Sequence, residues 1–290
     1  MFEHLPIMPQ EILLNLDIKP GSIVADITAG GGGHLRLLAQ AVGPTGLVIA
    51  LDKDSRAHEL DAAGGVANEF KQVRLFKATF SELPQILADQ KIKALDALLC
   101  DLGVSSPQLD TDERGFSFRH NGPIDMRMDQ ENGLTAYELI RETSETDLAN
   151  LIYRYGEERQ SRLIARAIKM QKNLPDSTLE LASLIARVYK GPRGRIHPAT
   201  RTFQALRIAV NQEIGELESL LASLDELIAP NGKAAFISFH SLEDRPIKHF
   251  FKQHPESWWV LHKKPITASE LELSINKRAQ SAKLRIAQRV

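Results

Sequence analysis

Cysteine is almost absent from this chain of 290 residues, which has a single one, Cys100. One cysteine excludes an internal disulfide framework and is typical of a protein from a reducing compartment. Its place in an apolar segment predicts a buried, unreactive thiol. The sequence also has no Cys/His cluster with the spacing of a zinc site, so we expect no metal.

Long apolar runs are missing as well. None reaches the ~18 residues that can cross a bilayer. The first residues carry an acid and lack the basic start of a signal peptide. These absences predict a cytoplasmic protein without a membrane partner. With 43% hydrophobic and 25% charged residues, the chain suits one or two domains with a full core.

The net charge of −1 hides an uneven distribution. Residues 151–210 carry twelve Lys and Arg against four Asp and Glu, and residues 261–290 carry seven against two. These segments would meet a polyanion such as RNA, with Arg193, Arg195 and Arg201 as candidate phosphate contacts. A solvated helix face explains the same charges without a partner, so both interpretations stay open.

Short β-branched segments alternate with helical ones in the first third of the chain. The predicted strands are 22–27, 46–52, 73–79, 95–101 and 233–239, and the helices between the first four are near 34–42, 55–63 and 81–89. This alternation predicts an α/β fold with a mostly parallel, doubly wound sheet. Two tail strands, 258–263 and 282–288, are expected to pair antiparallel at the sheet edge.

About 130 residues separate the fourth strand from the fifth, far more than an ordinary crossover needs. Helical spacing in this stretch predicts an inserted all-α domain. The predicted helices are 135–142, 145–154, 157–173, 177–189 and one long helix over 199–229. The expected division is a core of residues 1–104 and 206–290 and an insertion of residues 105–205.

The turn after the first strand indicates a cofactor. Asp26 stands four residues before Gly30, which Gly32 and Gly33 follow, and Asp52 ends the second strand. An acid ~20 residues past the glycines can accept hydrogen bonds from both ribose hydroxyls. This acid-glycine spacing is typical of S-adenosylmethionine sites in Rossmann-like methyltransferases. A glycine-rich turn with no ligand is the alternative.

Residues beyond the other strand ends are the next candidates, because ligands of open parallel sheets lie at the carboxyl ends of the strands. Phe80 follows the third strand. It either covers one face of adenine or is only a core aromatic at a helix start. Asp101 ends the fourth strand, where an acid either faces the ligand or caps a helix.

The loop 105–108 loosely resembles the Ser-Pro-Pro-Tyr loop of amino methyltransferases. In those enzymes polar groups accept hydrogen bonds from an exocyclic amine, which localises the lone pair that attacks the methyl group. Asp101, Ser105 and Ser106 are therefore the candidate catalytic acceptors. Phe116 and Phe118 lie in an Arg- and Gly-rich turn, and either stack on an unstacked base or only anchor the turn.

Longer motifs extend over nearly the whole chain. They cover residues 4–8, 26–34, 101–110, 113–118, 122–129, 155–159, 197–207, 238–245 and 281–285. Together they resemble the bacterial ribosomal RNA small subunit methyltransferase H family, the cytosine-N4-specific family formerly called MraW.

The resemblance implies methyl transfer from S-adenosylmethionine to N4 of a cytidine in the decoding region of 16S ribosomal RNA, within the small ribosomal subunit. It implies a Rossmann-like class I methyltransferase sheet with a helical insertion for RNA recognition. By position it implies cofactor contacts at Gly32, Gly33, His34, Asp52, Phe80, Asp101 and Gln108. Asp101 then serves the cofactor, which weakens its assignment as an acceptor for the base.

Two other functions stay open at this point. A non-catalytic RNA-binding assembly factor could keep the same fold, although it would have no need for Asp26, Gly30, Gly32 and Asp52 together. A nicotinamide dehydrogenase is disfavoured because Leu35 stands where a dinucleotide fingerprint has its third glycine. The sequence does not decide the oligomeric state, a homodimer included, or whether the substrate is naked RNA or an assembled subunit.

Overall fold

A computed structural model of the chain describes residues 5–62, 65–189 and 196–290, without the side chains of Leu60, Ala62 and Ser106. It contains two compact units. The core unit consists of Met1–Gly103 and Ile214–Val290, and the helical unit consists of Val104–Glu213. The chain therefore leaves the core unit at residue 103 and returns at residue 214, against 104 and 206 in the division expected from the sequence. Over the described residues, no helix is both long and apolar enough to cross a membrane.

The core unit is built on a sheet of eight strands within the described ranges. They are β1 Ile23–Asp26, β2 Leu47–Asp52, β3 Val73–Lys77, β4 Leu95–Asp101, β5 Ile228–Ser238, β6 Trp258–Val260, β7 Ile266–Thr267 and β8 Lys283–Arg289. The order is β3-β2-β1-β4-β5-β8-β6, and β7 also pairs with β8. Strands β1 to β5 are parallel, and β8 runs antiparallel between β5 and β6. The predicted α/β class and the antiparallel pairing of the tail strands are confirmed.

The helices surround this sheet or form the helical unit. In chain order they are α1 Pro9–Leu16, α2 Gly33–Val42, α3 Ser55–Ala62, α4 Val66–Glu69, α5 Leu83–Asp89, α6 Ser106–Asp110, α7 Ala136–Glu142, α8 Glu145–Gly156, α9 Ser161–Lys169, α10 Thr178–Val188, α11 Thr200–Asn211, α12 Glu213–Leu227, α13 Ser241–Gln253 and α14 Glu270–Ile275. Short 3-10 turns cover Phe80–Glu82, Asp112–Arg114 and Lys277–Ser281.

Both faces of the sheet are buried, which is why its central strands read as continuous apolar runs. Ile49 and Leu51 of β2 pack on one side, in a cluster with apolar residues of α5, α12 and α13. Val48 and Ala50 point to the other side, in a cluster with α1 and α2. Each fully buried aliphatic side chain contributes about 1.5–3 kcal/mol to folding. The sheet is thus a rigid platform whose strand ends hold the polar residues.

The helical unit has its own apolar core, with residues from α7, α8, α9, α10 and α11. Among its described residues, the one pairing of β type is an isolated bridge between Pro123 and Ser177. Within its described residues, 104–189 and 196–213, the helical unit contains the six helices α6 to α11.

The single long helix predicted over 199–229 is wrong. It is broken at Gln212, which has a left-handed φ of 52° and ends α11. Asn211 explains the break, because its side chain accepts a hydrogen bond from the Met128 N–H at 2.8 Å and donates to the Met126 carbonyl at 2.7 Å. These partners are distant in sequence, so the apolar periodicity on either side could not reveal the stop.

Strand β5 begins at Ile228, earlier than the sequence predicted, because a bulge interrupts its pairing with β4. Leu95 faces Ile228, whereas Ala97 faces Lys233. The excess residues contain Asn231, whose φ is 66°. Residues 230–232, Pro-Asn-Gly, are therefore contained within the strand.

Candidate functional site

The turn between β1 and α2 requires glycine at two of its four consecutive glycine positions. Gly30 and Gly32 have φ values of 47° and 82°, in the left-handed region that side chains disfavour. A Cβ atom on Gly32 would also lie 2.9 Å from Cγ2 of Val66. The turn therefore brings bare backbone to the carboxyl end of β1, as close approach of a ligand requires.

The side chain of Asp52, at the end of β2, is hydrogen-bonded to this turn. Its Oδ2 accepts a hydrogen bond from the Gly30 N–H at 2.7 Å, and its Oδ1 accepts one from the Asp54 N–H at 2.8 Å. Each carboxylate oxygen has a second lone pair, so both can accept another donor such as a ribose hydroxyl. Burial raises the pKa of Asp52 above its usual value, although the two N–H donors oppose that shift.

Asp26 and Asp101 form a second acidic pair, at the ends of β1 and β4. Asp26 is fully buried, and its Oδ1 accepts a hydrogen bond from the Thr28 N–H at 3.1 Å. Its Oδ2 and the Oδ1 of Asp101 are buried without a hydrogen-bond partner among the described residues. Burial raises the pKa of Asp26 to about 6 and that of Asp101 to about 7. Such unsatisfied oxygens favour a cationic ligand.

His34 connects this pair to the N-terminal segment. It lies in the first turn of α2 and is 7% exposed. One ring nitrogen, Nε2, lies 2.8 Å from the Ile7 carbonyl, and the other, Nδ1, lies 3.4 Å from Oδ2 of Asp101. Burial lowers the pKa of His34, and the neighbouring Asp26 opposes the shift. The structure thus brings Asp26, His34 and Asp101 together, with Asp26 and His34 buried and the Asp101 side chain 22% exposed.

Phe80 begins the 3-10 turn after β3. The ring is half-buried and packs against the apolar cluster on the α5 side of the sheet. A ring in this position has both a packed side and an accessible side. Its role against adenine therefore stays a prediction, and the packing shows that the ring also belongs to the core.

Ser105, Ser106 and Gln108 lie in the helical unit, at the start of α6. The Ser105 N–H donates to Oε1 of Gln108 at 2.9 Å, and the two residues form a capping box. Gln108 is 5% exposed. Ser106 is the first residue of α6, and its side chain lies outside the described part. Ser105 and Gln108 thus share a structural role in starting this helix.

The two candidate stacking rings differ in burial. Phe116 is 8% exposed, lies in the core of the helical unit and has the Arg114 guanidinium 5.6 Å from its ring centroid. Phe118 is half-buried, with ring centroids 4.7 Å from His197 and 4.8 Å from Phe203. Because a base needs an accessible face, this difference leaves Phe118 as the candidate.

Of the three candidate phosphate contacts, Arg201 is described. Its side chain is exposed on α11 and donates to the Glu157 carbonyl at 3.1 Å. Arg193 and Arg195 lie outside the described residues. Arg207, which also contributes to the charge of this segment, forms a paired contact with both carboxylate oxygens of Glu213 at 2.9 Å. Part of the positive charge is therefore neutralised within the unit.

Several residues of the site escaped the sequence prediction. Thr28 accepts a hydrogen bond from the Asp101 N–H at 2.7 Å through its Oγ1, and so links β1 to β4. Beyond β5, Glu243 is 2% exposed and accepts hydrogen bonds from the N–H groups of Phe239 and His240 at 2.7 and 3.2 Å. The spacing of His240 and Glu243 is that of a helix cap, which was the available signal.

These features define a class of protein. The sheet has the parallel order 3-2-1-4-5, with a left-handed glycine turn after β1 and carboxylates at the ends of β1, β2 and β4. Ligands of open parallel sheets bind at the carboxyl ends of the strands, where the strand order reverses. The core unit has the Rossmann-like fold of the class I methyltransferases.

The chain belongs to the MraW methylase family, whose sequence model matches residues 1–290. Three relatives, each a ribosomal RNA small subunit methyltransferase H, match along almost their whole length. The one from a Nostoc species is 47% identical over 292 residues, covering 100% of this chain and 93% of the relative. Those from Sorangium cellulosum and Koribacter versatilis are 46% and 44% identical, covering 99% of this chain and 91% and 94% of theirs.

Proposed function

We propose that this protein transfers a methyl group from S-adenosylmethionine to N4 of a cytidine in the decoding region of 16S ribosomal RNA. The observation that carries the cofactor assignment is the set of carboxylates at the ends of β1, β2 and β4, two of which have buried oxygens without a partner among the described residues. The names of the relatives support ribosomal RNA as the substrate.

The candidate site residues of the core unit would then have the following roles. Asp52 would accept hydrogen bonds from the ribose hydroxyls through the free lone pairs of its two oxygens. Asp26 and Asp101 would compensate the positive charge of the cofactor, and Phe80 would cover adenine. When bound, the cofactor supplies an electrophilic methyl group, so no covalent residue is needed.

The acceptor amine is a weak nucleophile because its lone pair is delocalised into the ring. Hydrogen-bond acceptors on its N–H groups would localise that pair, and Ser105 and Ser106 stay the candidates for this role. The basic residues of the helical unit, Arg201 among them, would contact phosphate groups of the RNA.

The direct test is to map the methylated atom. Purified protein would be incubated with S-adenosylmethionine carrying a labelled methyl group and with unmodified small subunits or naked 16S ribosomal RNA. We expect label on N4 of one cytidine in the decoding region. Label on another atom or region would contradict the proposed specificity. A protein that binds RNA without any transfer would support the assembly-factor alternative, and NAD binding would support the dehydrogenase.

Phe118→Ala should reduce the rate of RNA methylation, because stacking of a base on an aromatic ring contributes roughly 1–3 kcal/mol. The affinity for S-adenosylmethionine should not change, since Phe80 is the ring assigned to adenine. Single-turnover methylation and calorimetric titration would measure the two quantities. Tyr153→Ala is the matched control, because Tyr153 is an exposed aromatic (63%) of the same unit. Wild-type turnover of a folded Phe118→Ala variant would show that the ring only packs against His197 and Phe203.

A further inference from the structure

The hydrogen bonds of His34 determine where its ring carries a proton. The Ile7 carbonyl can only accept, so Nε2, at 2.8 Å from it, must carry hydrogen. In the neutral ring Nδ1 is then a lone pair, and it faces Oδ2 of Asp101 at 3.4 Å. A lone pair facing a bare carboxylate is unfavourable. One proton between Nδ1 and Oδ2 removes this conflict.

The surroundings of the pair hold an excess of acids. Asp26 ends β1 and Asp52 ends β2, and the charges of Asp101 and Asp52 raise the pKa of Asp26, whereas the charge of His34 lowers it. Glu272 of α14 also acts on His34, and its Oε1 accepts a hydrogen bond from the Met8 N–H at 2.7 Å.

The groups next to Asp52 are Asp54 and His58, which act in opposite directions on its pKa. Within the described residues, the imidazole of His34 faces the carboxyl of Asp101, and the charges of Asp26 and Glu272 also act on it. Among the described residues, Oδ2 of Asp26 and Oδ1 of Asp101 are buried without a hydrogen-bond partner, so ionising both carboxyls together is unfavourable. A stored proton restores the charge balance.

We propose, relying on the proposed function for the identity of the ligand, that Asp101 and His34 share one proton in the ligand-free site and that a cationic ligand displaces it. S-adenosylmethionine carries a sulfonium charge, and S-adenosylhomocysteine, the product of methyl transfer, does not. The carboxyl of Asp101 releases the proton when the cation enters and takes one up when the positive charge is lost.

This exchange of a proton matches the change of charge in the methyl-transfer reaction. The N4 lone pair forms the new N–C bond, the C–S bond breaks with its electron pair going to sulfur, and one proton leaves the amine. The site loses a positive charge in that step, and uptake of a proton by Asp101 compensates the loss. Asp101 and His34 thus couple the protonation of the cofactor site to the charge of its ligand. At acid pH we expect them to lower the preference of the site for S-adenosylmethionine over S-adenosylhomocysteine.

The sign of the pH dependence follows from the pKa of Asp101, near 7. Below that pH the proton must leave before a cation binds, so the affinity for S-adenosylmethionine falls by up to ~10-fold per pH unit. Above that pH the carboxyl is ionised and the affinity levels off. The affinity for S-adenosylhomocysteine should depend less on pH over the same range.

Calorimetric titration in two buffers of different ionisation enthalpy counts the protons released. At about pH 6, S-adenosylmethionine should release up to ~1 proton more than S-adenosylhomocysteine, and at about pH 8.5 the difference should vanish. Asp101→Asn should abolish the difference. Asp96→Asn, at the opposite end of β4, should keep it; Asp96 is exposed and accepts a hydrogen bond from the Ile23 N–H. Equal proton release for the two ligands in the wild-type protein would overturn the proposal.

A second measurement does not depend on ligand binding. Nuclear magnetic resonance titration of ¹³C-labelled Asp and ¹⁵N-labelled His in the ligand-free protein should show His34 with hydrogen on Nε2. It should also show the carboxyl of Asp101 with a pKa of about 7. A pKa near the ordinary value of 3.8 would contradict the proposal. If neither ligand binds while Asp101 titrates near 7, the proposed function fails and the shared proton stands.

Discussion

Asp52→Ala should weaken S-adenosylmethionine binding by about 2 kcal/mol or more, which is roughly a 30-fold increase in Kd. The change removes the two carboxylate oxygens that, under the proposed function, accept hydrogen bonds from the ribose hydroxyls. It also frees the Gly30 and Asp54 N–H groups, which donate to Asp52 at 2.7 and 2.8 Å. Loss of these bonds loosens the glycine turn, so the effect combines lost contacts with lost organisation of the site.

Asp52→Asn separates the two contributions, because it keeps one acceptor oxygen while removing the charge. We expect an intermediate affinity for this variant. Asp96→Ala is the control for loss of a carboxylate elsewhere in the sheet and should leave the Kd unchanged. Circular dichroism establishes that each variant is folded. A folded Asp52→Ala variant with wild-type affinity would show that Asp52 does not contact the cofactor.

Gly122→Ala should lower the free energy of unfolding by about 3 kcal/mol, because a Cβ atom there would lie 1.8 Å from the Asp112 carbonyl oxygen. Backbone atoms on both sides resist a shift. The Gly122 N–H donates to Oγ1 of Thr178 at 3.1 Å, and its carbonyl accepts from the Thr178 N–H at 2.9 Å. Thr178 is itself completely buried. The strain must therefore break these bonds or displace the 112–122 loop.

Gly215→Ala is the opposite control. Gly215 lies in α12, and an added Cβ atom there would have no neighbour within 4 Å among the described residues. Alanine favours helix, so this variant should be more stable by about 0.5–1 kcal/mol. Urea unfolding of both variants measures the difference. Equal midpoints for Gly122→Ala and the wild type would show that the loop accommodates the methyl group without loss of packing.

The sequence by itself determined the class of the fold, and it placed the glycine turn and the acids at the strand ends. The central strands are buried on both faces, so each appears as a continuous apolar run of characteristic length. The glycine turn and Asp52 stand at a spacing that follows from one strand, one turn and one helix. These signals are local, because the positions of neighbouring residues on a strand or helix depend on backbone geometry alone. Motif resemblance extended the prediction to the family, which the whole-chain match confirms.

Only the tertiary structure decided which side chains meet across distant segments. Phe116 and Phe118 stand two positions apart in one turn, yet one is buried and the other is half-exposed beside His197. The stop at Gln212 depends on Asn211 reaching the backbone of Met126 and Met128.

The contact of His34 with Ile7 on one side and Asp101 on the other likewise joins three segments that are remote along the chain. Such contacts are set by how the elements pack together. Burial and the loss of water then shift the pKa values of the groups involved, and no local pattern in the sequence records that environment.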